Sequence, residues 1–258
     1  MRVTAVVNPK GGTAKTTTAV SLAAVAAQDG QRVLLIDLDK QGSATQWLGH
    51  SPDNDELMAA LIESKPLDPL AVLTTVPGLE LVPASVTFSQ SERLTQVVGH
   101  QYLLREALAG VAERDWVILD APGDLGPFTI LALTAATDVL VPVPAGALEL
   151  DEVPKVKETI SAVRGRLNPA LRLAGVLLTQ VRIHGRYQSV LAREVADQLR
   201  DEHFPEGGVL ESFVRDDARV REAPAWRKPI TTYDPGGKAD QDYRAVVAEL
   251  RRQEVANA

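Results

Sequence analysis

The sequence predicts an α/β protein: a mostly parallel, doubly wound sheet with helices on both faces. Three observations carry that expectation. Short runs rich in β-branched residues alternate with longer helical patterns, which is how βαβ units read in sequence. Several of the short runs are continuously apolar, as strands covered on both faces are. A glycine-rich turn joins the first strand to the first helix.

Taken in order, the expected strands are Val3–Val7, Val33–Asp37, Leu79–Pro83, Val117–Asp120, Val139–Pro142 and Leu173–Thr179. The expected helices are Lys15–Gln28, Gln101–Glu113, Glu152–Leu167, Gln188–Glu202 and Ala239–Glu254. The stretches 49–78 and 203–238 are the least regular. No internal repeat, low-complexity tract or Pro/Ser linker interrupts the chain, so residues 1–258 are expected to form one domain. A length of 258 residues permits that and buries enough surface for a self-sufficient core.

Composition narrows the function classes. The chain has no cysteine, which excludes disulfides, thiol nucleophiles and cysteine-held zinc or iron–sulfur centres. Nothing approaches the ~20 apolar residues of a membrane span, and Met1 to Asn8 lacks the pattern of a secretion signal. The expected compartment is the cytoplasm. A net charge of −7 argues globally against nucleic acid, but the charge is unevenly spread. Residues 1–154 carry 9 basic and 19 acidic side chains, and residues 155–258 carry 18 and 15. The basic excess is local, and a local patch is what a phosphate backbone responds to.

The segment Asn8-Pro9-Lys10-Gly11-Gly12-Thr13-Ala14-Lys15-Thr16-Thr17 has the context of a phosphate cradle. Glycines let the backbone approach an anion, successive N–H groups point into a concavity, and the helix N-terminus adds its positive end. Lys15 is placed to reach the β- and γ-phosphates of a nucleotide, and the Thr16 hydroxyl to ligate Mg²⁺. The strict pattern G-x-x-x-x-G-K-[ST] fails, because Pro9 and Ala14 stand at its two glycines. K-G-G-x-x-K-T-T, a deviant version with a second lysine at the start, does match. If position 14 needs a positive φ, alanine there costs roughly 1 kcal/mol.

With these residues the sequence resembles the ParA/MinD group of P-loop ATPases, and most the ParA partition ATPases. Val33 to Gly42 is similar to the family's D-x-D-P-Q-G box, and Asp115 to Pro122 to its Walker B strand. Arg219-Val220-Arg221-Glu222-Ala223-Pro224, then Lys228-Pro229-Ile230 and Tyr233-Asp234, resemble a late stretch of the partition ATPases. Lys40 and Gly123 depart from the prolines usual at those two places. The resemblance implies a P-loop NTPase fold, with ATP and Mg²⁺ as cofactors.

It also implies roles. The loop residues Lys10, Gly11, Gly12, Thr13, Ala14, Lys15, Thr16 and Thr17 would bind the phosphates, with Val214 and Pro229 near the base. Asp120, ending an apolar strand, would hold Mg²⁺ with Thr16, supported by Asp37. Asp39 lies two residues beyond Asp37, so an extended chain points both carboxylates to one face; by resemblance it would orient the attacking water. Lys10 is similar to the family's signature lysine, which crosses to the nucleotide of a partner subunit. An ATP-dependent homodimer is therefore expected, slow in hydrolysis and stimulated by a ParB-like or cargo-adaptor partner.

Arg182, Arg186, Arg215, Arg219 and Arg221, with Arg193, Arg227 and Lys228 nearby, are expected to contact the phosphates of double-stranded DNA without reading its sequence. The blander expectation is ion pairing with Asp216, Asp217, Glu222 and Glu194. No helix-turn-helix precedes the first strand, so operator binding is not expected. The cargo would be a plasmid, a chromosome region or a protein assembly, and the location the nucleoid. A MinD-like membrane ATPase is the alternative, but its anchor would have to be the modest stripe Tyr243, Val246, Val247 and Leu250, better suited to core packing than to membranes. A small-molecule ligase or kinase, or a polymer that never hydrolyses ATP, are the other readings.

Overall fold

The computed structural model describes residues 1–52, 55–85, 91–111, 113–146, 152–184, 187–188, 190–204 and 208–256. In chain order the elements are β1 (Arg2–Val6), α1 (Lys15–Gln28), β2 (Val33–Asp37), α2 (Ser43–Trp47), α3 (Glu56–Ile62), β3 (Val72–Leu73) and β4 (Leu79–Val82). Then come α4 (Ser91–Thr95), α5 (Leu103–Ala109), β5 (Trp116–Asp120), α6 (Pro127–Ala135), β6 (Asp138–Pro144), α7 (Val153–Arg166) and β7 (Arg172–Val181). The last are β8 (Ile183–His184), β9 (Tyr187–Gln188), α8 (Val190–Gln198), β10 (Val209–Arg215), α9 (Ala218–Glu222), α10 (Ile230–Tyr233) and α11 (Lys238–Ala256).

The main sheet runs β10-β7-β6-β1-β5-β2-β4-β3, and only the β3–β4 pairing is antiparallel. Each strand divides its side chains between two cores, because successive residues face opposite ways. In β2, Leu34 and Ile36 enter the core under α3, α5, α6, α7 and α8; Val33 and Leu35 enter the one under α1 and α11. That is why the strand reads as an unbroken apolar run. Helix α1 lies between the sheet and its neighbours, and Thr18 to Ala27 are all buried.

All six expected strands and all five expected helices are present; Lys15–Gln28 and Val33–Asp37 keep their bounds and the others have shifted ends. α5 stops at Ala109 rather than Glu113, and α8 gives way to a wider π turn over Leu199–His203. The irregular stretch 203–238 holds an element the sequence reading omitted: β10, the sheet's edge. Glu249 on α11 explains how β10 is held despite its irregular register. Its carboxylate accepts from the Glu211 and Ser212 amides, both at 2.8 Å. α6 was also omitted; it is apolar nearly all round and buries six of its nine residues, leaving no amphipathic period to read.

The connections set the position of the site. From β1 the chain crosses toward β2 on one side, whereas from β6 it crosses toward β7 and β10 on the other. In open α/β sheets the crevice at such a reversal, beyond the carboxyl ends of the strands, is where ligands sit. The stripe on α11 is used internally: Tyr243, Val246, Val247 and Leu250 are fully or almost fully buried in the core against α1. Among the described residues no helix is long and apolar enough to cross a membrane.

Candidate nucleotide-binding site

The carboxyl ends of β1, β2 and β5 converge on a cleft of about 940 Å³, floored by Gly11 to Thr17 and flanked by Asp39, Gly123 and Asp124. Its opposite wall is Val214 to Asp217, with Val220, Arg221, Pro224 and Tyr243. The loop after β1 is tied down at several points. Asn8 donates to the Pro142 carbonyl (2.8 Å) and its own side-chain oxygen accepts from the Lys10 amide (3.0 Å). The Thr13 hydroxyl and the Lys15 ammonium both donate to the Lys10 carbonyl, at 3.1 and 3.0 Å. Gly12 has φ +77°, a conformation open to glycine. Ala14, at the N-cap of α1, has φ 65° and ψ 26°, so the strain foreseen for alanine is present.

Lys15 is buried, and desolvation pulls its pKa down. Asp120, Asp39 and Asp124 act the other way, in that order. β2 and β5 pair in a register that sets Asp37 directly beside Asp120. Both are fully buried. Asp37 is well served: its Oδ2 accepts from the Thr45 amide and hydroxyl, both at 2.8 Å, and its Oδ1 from the Asp39 amide at 3.1 Å. Burial still raises its pKa to about 6.

Asp120 is not served. Both its oxygens are buried without a well-formed hydrogen bond, and burial first, then Asp37, hold its pKa well above the ordinary carboxylate range. The Thr16 hydroxyl and the Lys15 ammonium give weak relief. An orphaned buried carboxylate beside a second one is expensive unless a cation joins them, so the residues present fit a divalent metal. Among the described residues no cluster of three or more metal-ligating side chains forms. A Mg²⁺ ion here would draw its other ligands from phosphate and water, as this ion usually does.

The structure brings together Gly11 to Thr17, Asp39 and Val214 on the cleft, with Asp37 and Asp120 buried at the strand ends. Asp39 also accepts the Gln41 amide at 3.0 Å. Lys10 is half-buried on the loop but not among the cleft-lining residues. Pro229 is not on the cleft either; its carbonyl accepts the Thr232 and Tyr233 amides that start α10. The cleft residues that the sequence did not single out include Asp124 and Gln180. Asp124 sits just past the Walker B-like strand, where its charge could have been noticed, whereas Gln180 had no local signal.

The arginines divide. Arg215 is held by Asp242 through contacts of 2.6 to 3.0 Å and donates to the Lys238 carbonyl, so it serves the β10–α11 packing rather than a free surface. Arg219 and Arg221 are exposed, paired with Glu222 (3.2 Å) and Asp216 (2.5 Å); Arg182 is exposed 4.0 Å from Asp216. Arg186 lies outside the described residues.

Comparison with known proteins gives the family. Residues 1–173 match the AAA domain family. The chain is 36% identical over 260 residues to chromosome partitioning protein ParA of Caulobacter vibrioides, covering 98% of this chain and 95% of that one. It is 39% identical over 250 residues to the chromosome-partitioning ATPase Soj of Thermus thermophilus, covering 97% and 95%. A Mycobacterium smegmatis crystal structure described as cobyrinic acid a,c-diamide synthase with bound ATP analog and magnesium superposes with a TM-score of 0.85. It is 33% identical, covering 100% of this chain and 97% of that one. The chain belongs to the ParA/MinD family of P-loop ATPases.

Proposed function

We propose that this protein is a partition-type switch: it binds Mg·ATP, closes into a homodimer, holds double-stranded DNA without sequence preference, and is cleared by a ParB-like or cargo-adaptor partner. The observation that carries the reading is Asp120, buried with two oxygens that lack a well-formed hydrogen bond behind a loop that carries Lys15 and Thr16. Partition relatives and a magnesium–ATP-analog-bound relative support it. Lys15 and the loop amides grip the phosphates, and Asp39 orients the attacking water. Thr16, Asp37 and Asp120 would hold Mg²⁺, which supplies neutralisation of charge on the transferring phosphoryl group. Lys10, off the lining of its own cleft, reaches a sister molecule's nucleotide.

Dimerisation doubles the arginine surfaces on one body, and such linkage raises avidity by ~10²–10⁴ without new contacts. Hydrolysis then releases DNA. Location on the nucleoid follows, with a plasmid, chromosome region or protein assembly as cargo. Size measurement with ATP, with ADP and for Lys10→Ala tests the switch. The wild type should be a dimer only with ATP, and Lys10→Ala a monomer throughout; a monomer in all three conditions overturns the reading. The name of the M. smegmatis relative supports one second reading, an amide-forming ligase. Phosphate transfer to a carboxylic acid rather than to water would mark it.

A further inference from the structure

Gln180 combines two features that are unusual together. Its backbone is left-handed, with φ 55°, one of four non-glycine residues in that region among those described. Its side-chain amide donates to the Gly12 carbonyl at 2.8 Å, across 168 residues of sequence. The first feature has a clear origin. Between Leu178 and Val181 the chain advances three residues while its partner β10 advances two, from Phe213 to Arg215. β7 therefore carries a bulge where it passes the loop, and bulges next to binding sites re-aim a side chain. The residues on each side are anchored: the Thr179 carbonyl accepts from Ala145 at 2.9 Å, and the Val181 carbonyl from Asp216 at 3.0 Å. Thr179 and Val181 are buried, whereas Gln180 is exposed and lines the cleft.

Glycine is the relaxed residue for a left-handed bulge position. A glutamine there is strained, and strain of this kind is kept where the surroundings use it. The use follows from peptide geometry. A trans peptide is planar, with its C=O and N–H on opposite sides. Holding the Gly12 oxygen on the Gln180 side therefore aims the Thr13 N–H the other way. A phosphate cradle needs its amides fixed before the anion arrives, since donors already aimed cost no reorganisation.

We propose that Gln180 is a positioning residue of the phosphate loop: its amide clamps the Gly12 carbonyl and so presets the Thr13 N–H toward the nucleotide phosphates. This rests on reading the loop as a phosphate site. The test is equilibrium titration of the full-length protein with a fluorescent ATP analogue and Mg²⁺, alongside thermal unfolding without nucleotide. Gln180→Met keeps the stem and deletes the donor; Gln180→Gly deletes the donor and relieves the strain. Both should weaken binding about five-fold, the worth of one neutral hydrogen bond, and raise KM with kcat little changed. Gln180→Gly should unfold no earlier than the wild type. A role confined to holding β7 predicts the reverse, earlier unfolding with unchanged affinity. Variants that bind with wild-type affinity overturn this proposal alone. A wild-type chain that ignores Mg·ATP overturns the phosphate-loop reading and this proposal with it.

Discussion

The loop at the end of β1 and the edge built from β10 and α9 treat charge in opposite ways. At the loop, polar groups are left wanting. Asp120 has no well-formed hydrogen bond, burial pulls the pKa of Lys15 down, and Ala14 and Gln180 hold left-handed backbone. At the edge the described arginines are paired off, Arg215 with Asp242, Arg219 with Glu222, Arg221 with Asp216. Unmatched buried groups indicate a ligand the fold is built to receive; matched exposed ones indicate a surface whose binding must compete with pairs already made. On the proposed function, that difference predicts deep binding by the loop and weak, salt-sensitive binding by the edge.

The sharpest way to break the contrast is Asp120→Asn, which keeps the shape and removes the buried charge. ATP hydrolysis should fall by about a hundred-fold or more, while the nucleotide-free protein melts at a higher temperature, because an uncompensated charge is gone. Unchanged melting would mean that Asp120 costs the apoprotein nothing. Asp37 carries the same sign in pH. Its pKa is raised from the ordinary 3.8 to about 6, so the folded state binds the proton more tightly than the unfolded one. The destabilisation is full above pH 6 and fades as pH falls toward 3.8. Nucleotide-free unfolding should show that component, and Asp37→Asn should remove it.

At the other region two arginines separate. Arg215→Ala leaves Asp242, a side chain only 11% exposed, with the residue-215 backbone amide but without the guanidinium; chemical denaturation should show a loss of about 1–3 kcal/mol. Arg219→Ala removes an exposed ion pair, which carries little stability. It should instead weaken ATP-dependent DNA binding several-fold and lower the salt slope by about one per lost phosphate contact. Should Arg219→Ala destabilise the fold and spare DNA binding, the division drawn between the two arginines fails. The smallest effect expected is Ala14→Gly, a gain of roughly 0.5–1 kcal/mol in thermal unfolding, because glycine adopts φ 65° without the Cβ clash.

Much of the site was legible because its chemistry is local. Lys10 to Thr17 lie within one strand-to-helix turn, and the strand ends at Asp37 and Asp120 are marked by a carboxylate after an apolar run. The strain at Ala14 was legible in the same way, from the residue type a left-handed position wants. β10 was not, because its holding bonds come from Glu249, far along the chain on α11. Nor was the commitment of Arg215: the run from Arg215 to Lys228 reads as one basic stretch until α11 brings Asp242 against its first member.

Local pattern is enough for the layer architecture, the glycine-rich loop and the two acidic strand ends, since each is written in residues adjacent in the chain and obeys periodicity or turn chemistry. That Asp37 stands beside Asp120, that Gln180 meets Gly12, and which arginines remain at the surface emerge only when distant segments pack. Those are facts of register and of packing between distant segments, and neither local pattern nor composition encodes which buried group will find a partner.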